Sequence, residues 1–89
     1  MRKSKQNLVG QRHEVHVPET VKPGSDARAT TWMVELGEEF SEGDRLLELE
    51  VDGATVRIVS PAAGKLAEIW VEEDEPVEPG QLLAVVVAE

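Results

Sequence analysis

The sequence contains no cysteine among its 89 residues. This excludes disulfides, zinc–thiolate sites and thiol catalysis, and it is compatible with a reducing compartment. Aromatic residues are also scarce, since Trp32, Phe40 and Trp70 are the only ones. Because 40% of the residues are nevertheless hydrophobic, the core must be built from valine, leucine, isoleucine and alanine. That mixture leans towards strands.

Long apolar runs are missing as well. No stretch approaches the roughly 20 apolar residues that span a bilayer, and no apolar segment follows the basic N-terminus as it would in a secretory signal. We therefore expect a cytoplasmic protein with no membrane partner. Residues 14–89 hold five basic and 18 acidic side chains. This excess of acidic residues repels nucleic acid and anionic membranes, and it favours a partner protein with a basic surface.

The length suits one small domain. Residues 1–12 are polar, basic and without periodicity, so we predict a flexible basic N-terminal segment followed by a domain of residues 13–89. Residues 13–17 alternate as a short strand that ends at Pro18. Residues 18–28 have the composition of a surface loop, and residues 29–36 are again typical of a strand.

The central stretch RLLELEVDGATVRIV predicts a β-hairpin. Asp52-Gly53 favours a two-residue type I′ turn, in which both turn residues need a positive φ. Such a turn fixes the register, and each facing pair is then of matching kind: Val51 with Ala54, Glu50 with Thr55, Leu49 with Val56, Glu48 with Arg57 and Leu47 with Ile58. One face is therefore apolar, and the other carries a Glu48–Arg57 cross-strand ion pair.

The chain also repeats itself at an offset of 37 residues. Trp32-Met33-Val34-Glu35 aligns with Ile69-Trp70-Val71-Glu72. The same offset aligns further pairs: Phe40 with Val77, Gly43 with Gly80, Leu46 with Leu83 and Leu49 with Val86. Short strands and turns that occur twice, without helical periodicity, predict an all-β barrel or sandwich. Its two halves must close on each other about a pseudo-two-fold axis.

No arrangement of side chains indicates a catalytic or metal site. The serines lack a paired histidine, and the glycines form no phosphate-binding loop. His13 and His16 are three residues apart in a predicted strand, so their side chains should point to opposite faces and be exposed to solvent. The acidic run 72–75 lacks the pattern of a calcium loop and is interpreted as a solvated turn. Trp32 and Trp70 are interpreted as anchors of the core.

Three motifs together, GEEFSEGDRLLELE, SPAAGKL and VEPGQLLAV, resemble the lipoyl/biotinyl-attachment domain family, and the resemblance covers residues 14–88. It implies a flattened barrel of two four-stranded antiparallel sheets related by the pseudo-two-fold axis. It also implies a central hairpin that presents a lysine at its tip. In that family the lysine carries lipoate or biotin as a swinging arm, in dihydrolipoamide acyltransferases of 2-oxo acid dehydrogenase complexes and in biotin carboxyl carriers.

The position that matches this lysine is Gly53, flanked by Asp52 and Ala54. Glycine has no amine, so no lipoate or biotin is expected there. The resemblance therefore implies an unmodified, non-enzymatic module that recognises or scaffolds protein partners, such as components of a multienzyme complex. The loop that runs beside the tip in the family supplies the candidate partner contacts, which are Glu19, Thr20, Val21, Lys22 and Asp26.

Other functions stay open at this point. The chain could be a true acyl or carboxyl carrier modified on another lysine, although Lys65 lies in a different turn and Lys22 in a loop predicted to be flexible. It could belong to a larger assembly, like the hairpin adaptor domains of export machinery, but it has no coiled-coil or membrane segment. The glycine could also have been engineered in place of a lysine.

Overall fold

Residues 11–88 are described by a computed structural model and form seven β-strands. These are β1 (Gln11–His16), β2 (Ala27–Trp32), β3 (Glu39–Phe40), β4 (Arg45–Val51), β5 (Ala54–Val59), β6 (Gly64–Ile69) and β7 (Leu82–Ala88). They build two antiparallel sheets, ordered β1-β7-β6-β3 and β2-β4-β5. The predicted all-β architecture is thus confirmed. Over the same residues, no helix is long and apolar enough to cross a membrane.

The second sheet differs from the prediction in its strand count. It has three strands, and an isolated bridge between Arg28 and Pro76 takes the place of the fourth. Proline has no N–H to donate to a ladder, so the pairing cannot extend through Pro76. The next residue, Val77, donates its N–H to the carbonyl of Ala27 at 3.0 Å, a distance typical of a ladder hydrogen bond.

The pseudo-two-fold axis is visible in the strand bounds and in the hydrogen bonds. β2 and β6 start and end 37 residues apart, and so do β4 and β7. The N–H of Met33 donates to the carbonyl of Leu46 at 2.8 Å, and that of Trp70 to the carbonyl of Leu83 at 2.8 Å. Each sheet takes strands from both halves of the chain. The two halves are therefore interleaved rather than placed side by side.

The core lies between the sheets and is aliphatic, as the composition indicates. Its largest fully buried side chains are Leu46, Leu47, Leu49, Leu66, Leu83, Val17, Val71, Val85 and Val86. Trp32 packs partly buried against this cluster, in agreement with its expected role as an anchor. The same expectation is wrong for Trp70, whose side chain is 57% exposed. The repeat explains this, since Trp70 occupies the position of Met33, which is also exposed.

Two strand boundaries differ from those expected. β1 begins at Gln11, so Gln11 and Arg12 belong to the domain and not to the flexible segment; the rest of that segment, residues 1–10, lies outside the described residues. β2 begins at Ala27 and ends at Trp32, whereas a loop through residue 28 and a strand to residue 36 were expected. Ala27 and Ala29 are buried, and they pair with Val51 and Leu49 of β4, a pairing that their own sequence does not reveal.

Candidate functional site: the hairpin tip and its neighbouring loop

The hairpin of β4 and β5 has the turn that its sequence predicts. Asp52 has φ 51° and Gly53 has φ 87°, as a type I′ turn requires. The register is confirmed at all five predicted pairs: Val51 with Ala54, Glu50 with Thr55, Leu49 with Val56, Glu48 with Arg57 and Leu47 with Ile58. Local turn chemistry and alternation of apolar residues therefore suffice to determine this element.

The apolar face of the hairpin becomes progressively exposed towards its tip. Leu47 and Leu49 are fully buried at the base, Val51 and Val56 are half-buried, and Ala54 is exposed. The tip therefore extends beyond the core, where its backbone is open to a partner. On the opposite face, Arg57 Nε lies 3.7 Å from Glu48 Oε2, which confirms the expected ion pair. Because the Arg57 side chain is mostly exposed, the pair contributes at most about 1 kcal/mol.

Two hydrogen bonds connect the tip to the loop of residues 18–26. The N–H of Asp52 donates to the carbonyl of Asp26 at 2.9 Å. In return, the N–H of Asp26 donates to Asp52 Oδ1 at 3.0 Å. At Asp26 the loop therefore lies beside the tip, as expected. The bonding role of the Asp52 carboxylate was not foreseen, although aspartate in turns often accepts hydrogen bonds from nearby backbone.

The loop itself is fixed to the domain by Val21, which was expected to contact a partner. Val21 is only 5% exposed and belongs to the core cluster, so its side chain cannot contact a partner. An apolar side chain within a polar loop is often such an anchor, and this signal was available in the sequence. The N–H of Val21 donates to the carbonyl of Pro18 at 3.0 Å, and that of Ser25 to the carbonyl of Lys22 at 3.1 Å. The loop thus consists of turns held by a buried valine.

The other four candidate contacts, Glu19, Thr20, Lys22 and Asp26, are exposed or partly exposed. These four residues and Asp52, Gly53 and Ala54, joined through the bonds between Asp26 and Asp52, are called the tip surface below. Three of its seven residues carry carboxylates, so a partner that binds it should present basic or hydrogen-bond-donating groups.

No lysine occurs anywhere in the hairpin, from residue 45 to residue 59. A Cβ atom built on Gly53 would meet no atom within 4 Å, so the absence of a side chain there is not required by crowding. Lys22 lies in a turn of the neighbouring loop. Lys65 lies in strand β6 of the other sheet and not in a turn as expected; it pairs with Val87, and its Nζ is 3.9 Å from Glu39 Oε2. Neither lysine is presented by a two-residue hairpin turn.

The two histidines differ in their burial and in their hydrogen bonds. His16 Nδ1 lies 2.8 Å from the carbonyl oxygen of Gly80, and its Nε2 lies 2.9 Å from Glu14 Oε1; the protonated ring donates to both. These two bonds, that to Glu14 first, raise the pKa of His16. His13 is half-buried rather than fully exposed as expected. Within residues 11–88 no three histidine or carboxylate side chains cluster as metal ligands.

The acidic run 72–75 forms a turn in which carboxylates accept backbone hydrogen bonds. Glu75 Oε1 accepts from the N–H of Glu72 at 2.8 Å, and Glu73 Oε2 accepts from the N–H of Trp32 at 2.9 Å. The side chains of this turn are exposed. Its interpretation as a solvated turn agrees with these observations.

Comparison with known proteins identifies the class to which this barrel and its hairpin belong. Residues 13–86 match the biotin/lipoyl family model, described as biotin-requiring enzyme. The chain therefore belongs to the biotin/lipoyl attachment family, as its motifs suggested.

Several curated proteins resemble the chain. It is 37% identical over 73 residues to the dihydrolipoyllysine-residue succinyltransferase component of the 2-oxoglutarate dehydrogenase complex of Staphylococcus saprophyticus, covering 82% of this chain and 17% of that protein. The corresponding protein of Bartonella vinsonii is 40% identical over 75 residues, covering 84% of this chain and 18% of that protein. The chain thus spans less than a fifth of the length of these relatives.

Two solved structures share the fold. The lipoyl domain of the 2-oxoglutarate dehydrogenase complex of Azotobacter vinelandii superposes with a TM-score of 0.65 at 25% identity, covering 85% of this chain and 95% of that one. The urea carboxylase of Kluyveromyces lactis superposes with a TM-score of 0.74 at 19% identity, covering 86% of this chain and 6% of that one. The second likeness concerns the fold alone.

Proposed function

We propose that this domain is an unmodified member of the family and that it recognises a protein partner through the tip surface. It has no catalytic site of its own in this proposal and acts as an accessory module of a 2-oxo acid dehydrogenase type of complex. The single observation that carries the proposal is Gly53, which occupies the outermost turn of the hairpin without an amine.

The residues at the tip do not fit a covalently attached lipoate or biotin. Attachment as an amide needs a primary amine, whereas Asp52, Gly53 and Ala54 offer a carboxylate, a bare backbone and a methyl group. No step of a carrier reaction is therefore assigned to this hairpin.

The same tip retains features that suit recognition. The reciprocal bonds between Asp26 and Asp52 hold the loop and the turn in one arrangement, and Val21 fixes the loop to the core. Binding to a preorganised surface avoids the entropic cost of ordering loops on association. The relatives are components of multienzyme complexes, which supports a partner from such an assembly.

The intact mass of the protein purified from its native cells tests the absence of modification. We expect the mass of the unmodified chain. An added lipoyl or biotinyl mass, mapped by peptide sequencing to Lys22 or Lys65, would contradict the proposal and establish the alternative of a carrier modified on another lysine.

A Gly53→Lys variant tests whether position 53 is the one that matches the lysine of the family. The variant should accept lipoate from a purified lipoate–protein ligase, while the wild-type chain should not. Lysine at φ 87° should cost about 1–2 kcal/mol of stability, so the fold of the variant is checked by NMR. A folded variant that stays unmodified would refute the assignment of Gly53.

Partner capture tests the tip surface itself. The triple variant Glu19→Ala/Thr20→Ala/Lys22→Ala removes side chains of this surface and keeps the buried Val21. It should recover less of the purified dehydrogenase components than the wild type. A Glu42→Ala/Arg45→Ala variant, altered at exposed positions of another turn, serves as the control. Equal recovery by all three proteins would refute this surface.

A further inference from the structure

A second surface lies away from the tip, in an open groove. Its apolar lining consists of Trp32, Leu36, Ile69, Trp70 and Val71, and its rim is the acidic turn 72–75. Leu36 is 60% exposed and Trp70 57% exposed. Large apolar side chains exposed side by side usually mark a binding surface rather than part of the fold.

The internal repeat shows that folding does not require this surface. Trp70 and Met33 occupy equivalent positions and make the same backbone hydrogen bond, to the carbonyls of Leu83 and Leu46, each at 2.8 Å. Methionine therefore serves the fold as well as tryptophan does. Likewise, Asp74 and Gly37 are equivalent and have φ 74° and 85°. Glycine adopts such a φ without strain. The turn therefore does not require the aspartate that the second half carries at this position.

The two indoles of the groove are held in place by hydrogen bonds at their polar edges. Trp70 Nε1 donates to Glu68 Oε1 at 2.7 Å, and Arg12 Nη2 donates to the other oxygen of this carboxylate at 3.0 Å. Trp32 Nε1 donates to the carbonyl of Val71 at 2.9 Å. With its N–H already bonded, the exposed Trp70 offers a partner its ring face, in an orientation that binding need not establish.

The rim determines which partner fits. Four consecutive residues, Glu72 to Glu75, are acidic and exposed, and the whole chain has a formal net charge of −9. An acidic segment would be repelled. An arginine or lysine can place its charge over the ring of Trp70 and hydrogen-bond to the carboxylates at the same time. An adjacent apolar side chain would cover Leu36.

We propose that this groove binds an extended basic segment of a partner protein, in which arginine or lysine alternates with apolar residues. The proposal is independent of the tip surface and of the state of position 53. It assigns a second docking site to the domain, so that one partner can be held at the groove while the tip is engaged elsewhere.

A labelled peptide of alternating arginine and leucine is the probe. It is titrated into the full chain, with fluorescence anisotropy for affinity and NMR for location. We expect chemical-shift changes at the indole N–H groups of Trp32 and Trp70. Trp70→Ala should weaken binding about tenfold or more, because exposed tryptophans dominate such interfaces. Met33→Ala, the equivalent change in the other half, should leave the affinity unchanged. Loss of affinity in both variants, or in neither, would overturn the assignment.

A charge-matched pair of variants separates the groove from the general acidity of the chain. Glu72→Gln/Asp74→Asn removes two charges at the rim, and Glu42→Gln/Glu50→Gln removes two exposed charges elsewhere. Both double variants lower the net negative charge by two. Glu72→Gln/Asp74→Asn should nevertheless weaken peptide binding more than Glu42→Gln/Glu50→Gln does. Equal weakening would show attraction by net charge and would overturn the proposal.

Two further measurements distinguish other occupants. An arginine–serine peptide should bind more weakly than the arginine–leucine peptide; equal affinity would refute the apolar contribution. Sedimentation of the chain without peptide should show a monomer. A concentration-dependent dimer that Trp70→Ala abolishes would assign the groove to a second copy and overturn the partner proposed here.

Discussion

Gly64 lies where β6 passes close to β7, and no side chain fits there. A Cβ atom at this position would overlap the carbonyl oxygen of Val87 and approach Ala88 Cα to 2.8 Å. Both obstacles are backbone, so β6 or β7 would have to move. Gly24 gives a contrast, since it has φ 89° and a Cβ atom added to it would meet nothing within 4 Å.

We expect Gly64→Ala to lower the free energy of unfolding by about 3 kcal/mol, because overpacking against backbone forces the strands apart. Gly24→Ala should cost only about 1–2 kcal/mol, from its positive φ. Urea unfolding of both variants measures the difference. Similar losses in the two proteins would show that the close approach of β6 and β7 relaxes at little cost.

The hydrogen bonds of His16 favour the protonated, charged form of its ring. The bond to Glu14, and then that to the carbonyl of Gly80, raise the pKa of His16 above its ordinary value of 6.5. Because the pKa is higher in the folded state, protonation stabilises the fold below pH 6.5, and this stability is lost as the pH rises through the folded-state pKa.

An NMR titration of the His16 ring protons should therefore give a midpoint above 6.5. Glu14→Gln should lower that midpoint, since it removes the largest contribution. An unchanged midpoint in the variant would show that Glu14 does not hold the imidazolium in solution.

At the scale of elements, the β4–β5 hairpin is the part in which local and tertiary requirements agree. Its turn residues, its alternation and the burial of Leu47 and Leu49 all specify the same register. β2 is different, because its buried residues Ala27 and Ala29 are small and follow a loop of prolines, glycine and polar residues. Alternation could not distinguish its start from the loop, whereas the pairing of Ala27 with Val51 in β4 sets it.

Leu49→Ala tests the contribution of the hairpin to the core. Leu49 is fully buried in β4, so its truncation should cost about 2–5 kcal/mol by lost burial and cavity formation. Glu50→Ala, the exposed neighbour on the same strand, should change the stability by no more than about 0.5 kcal/mol. Equal effects in denaturant unfolding would contradict the assigned register.

At the scale of the whole molecule, the two halves depend on each other. The N–H of Gly37 donates to the carbonyl of Leu66 at 2.8 Å, and that of Asp74 donates to the carbonyl of Ala29 at 2.7 Å. Each acidic turn thus closes on a strand of the other half. With strands of both halves in each sheet, neither half can bury its apolar face alone.

Unfolding should therefore be a single cooperative transition. In a Trp70→Phe variant the fluorescence reports on Trp32 in the first half, and far-UV circular dichroism reports on all strands. The two signals should give coincident curves in urea, as expected for two-state unfolding. Separate midpoints would show that the halves fold independently despite their interleaving.

The sequence by itself determined the strand-rich class, the hairpin with its register and the repeat of 37 residues, because turn chemistry and alternation act over a few neighbouring positions. It also indicated the family and a tip without an amine. Only the tertiary structure decided that Trp70 is exposed, that β1 begins at Gln11, and that Asp26 bonds to Asp52. These features depend on contacts between segments that are distant in the sequence, and the local pattern of residues does not specify such contacts.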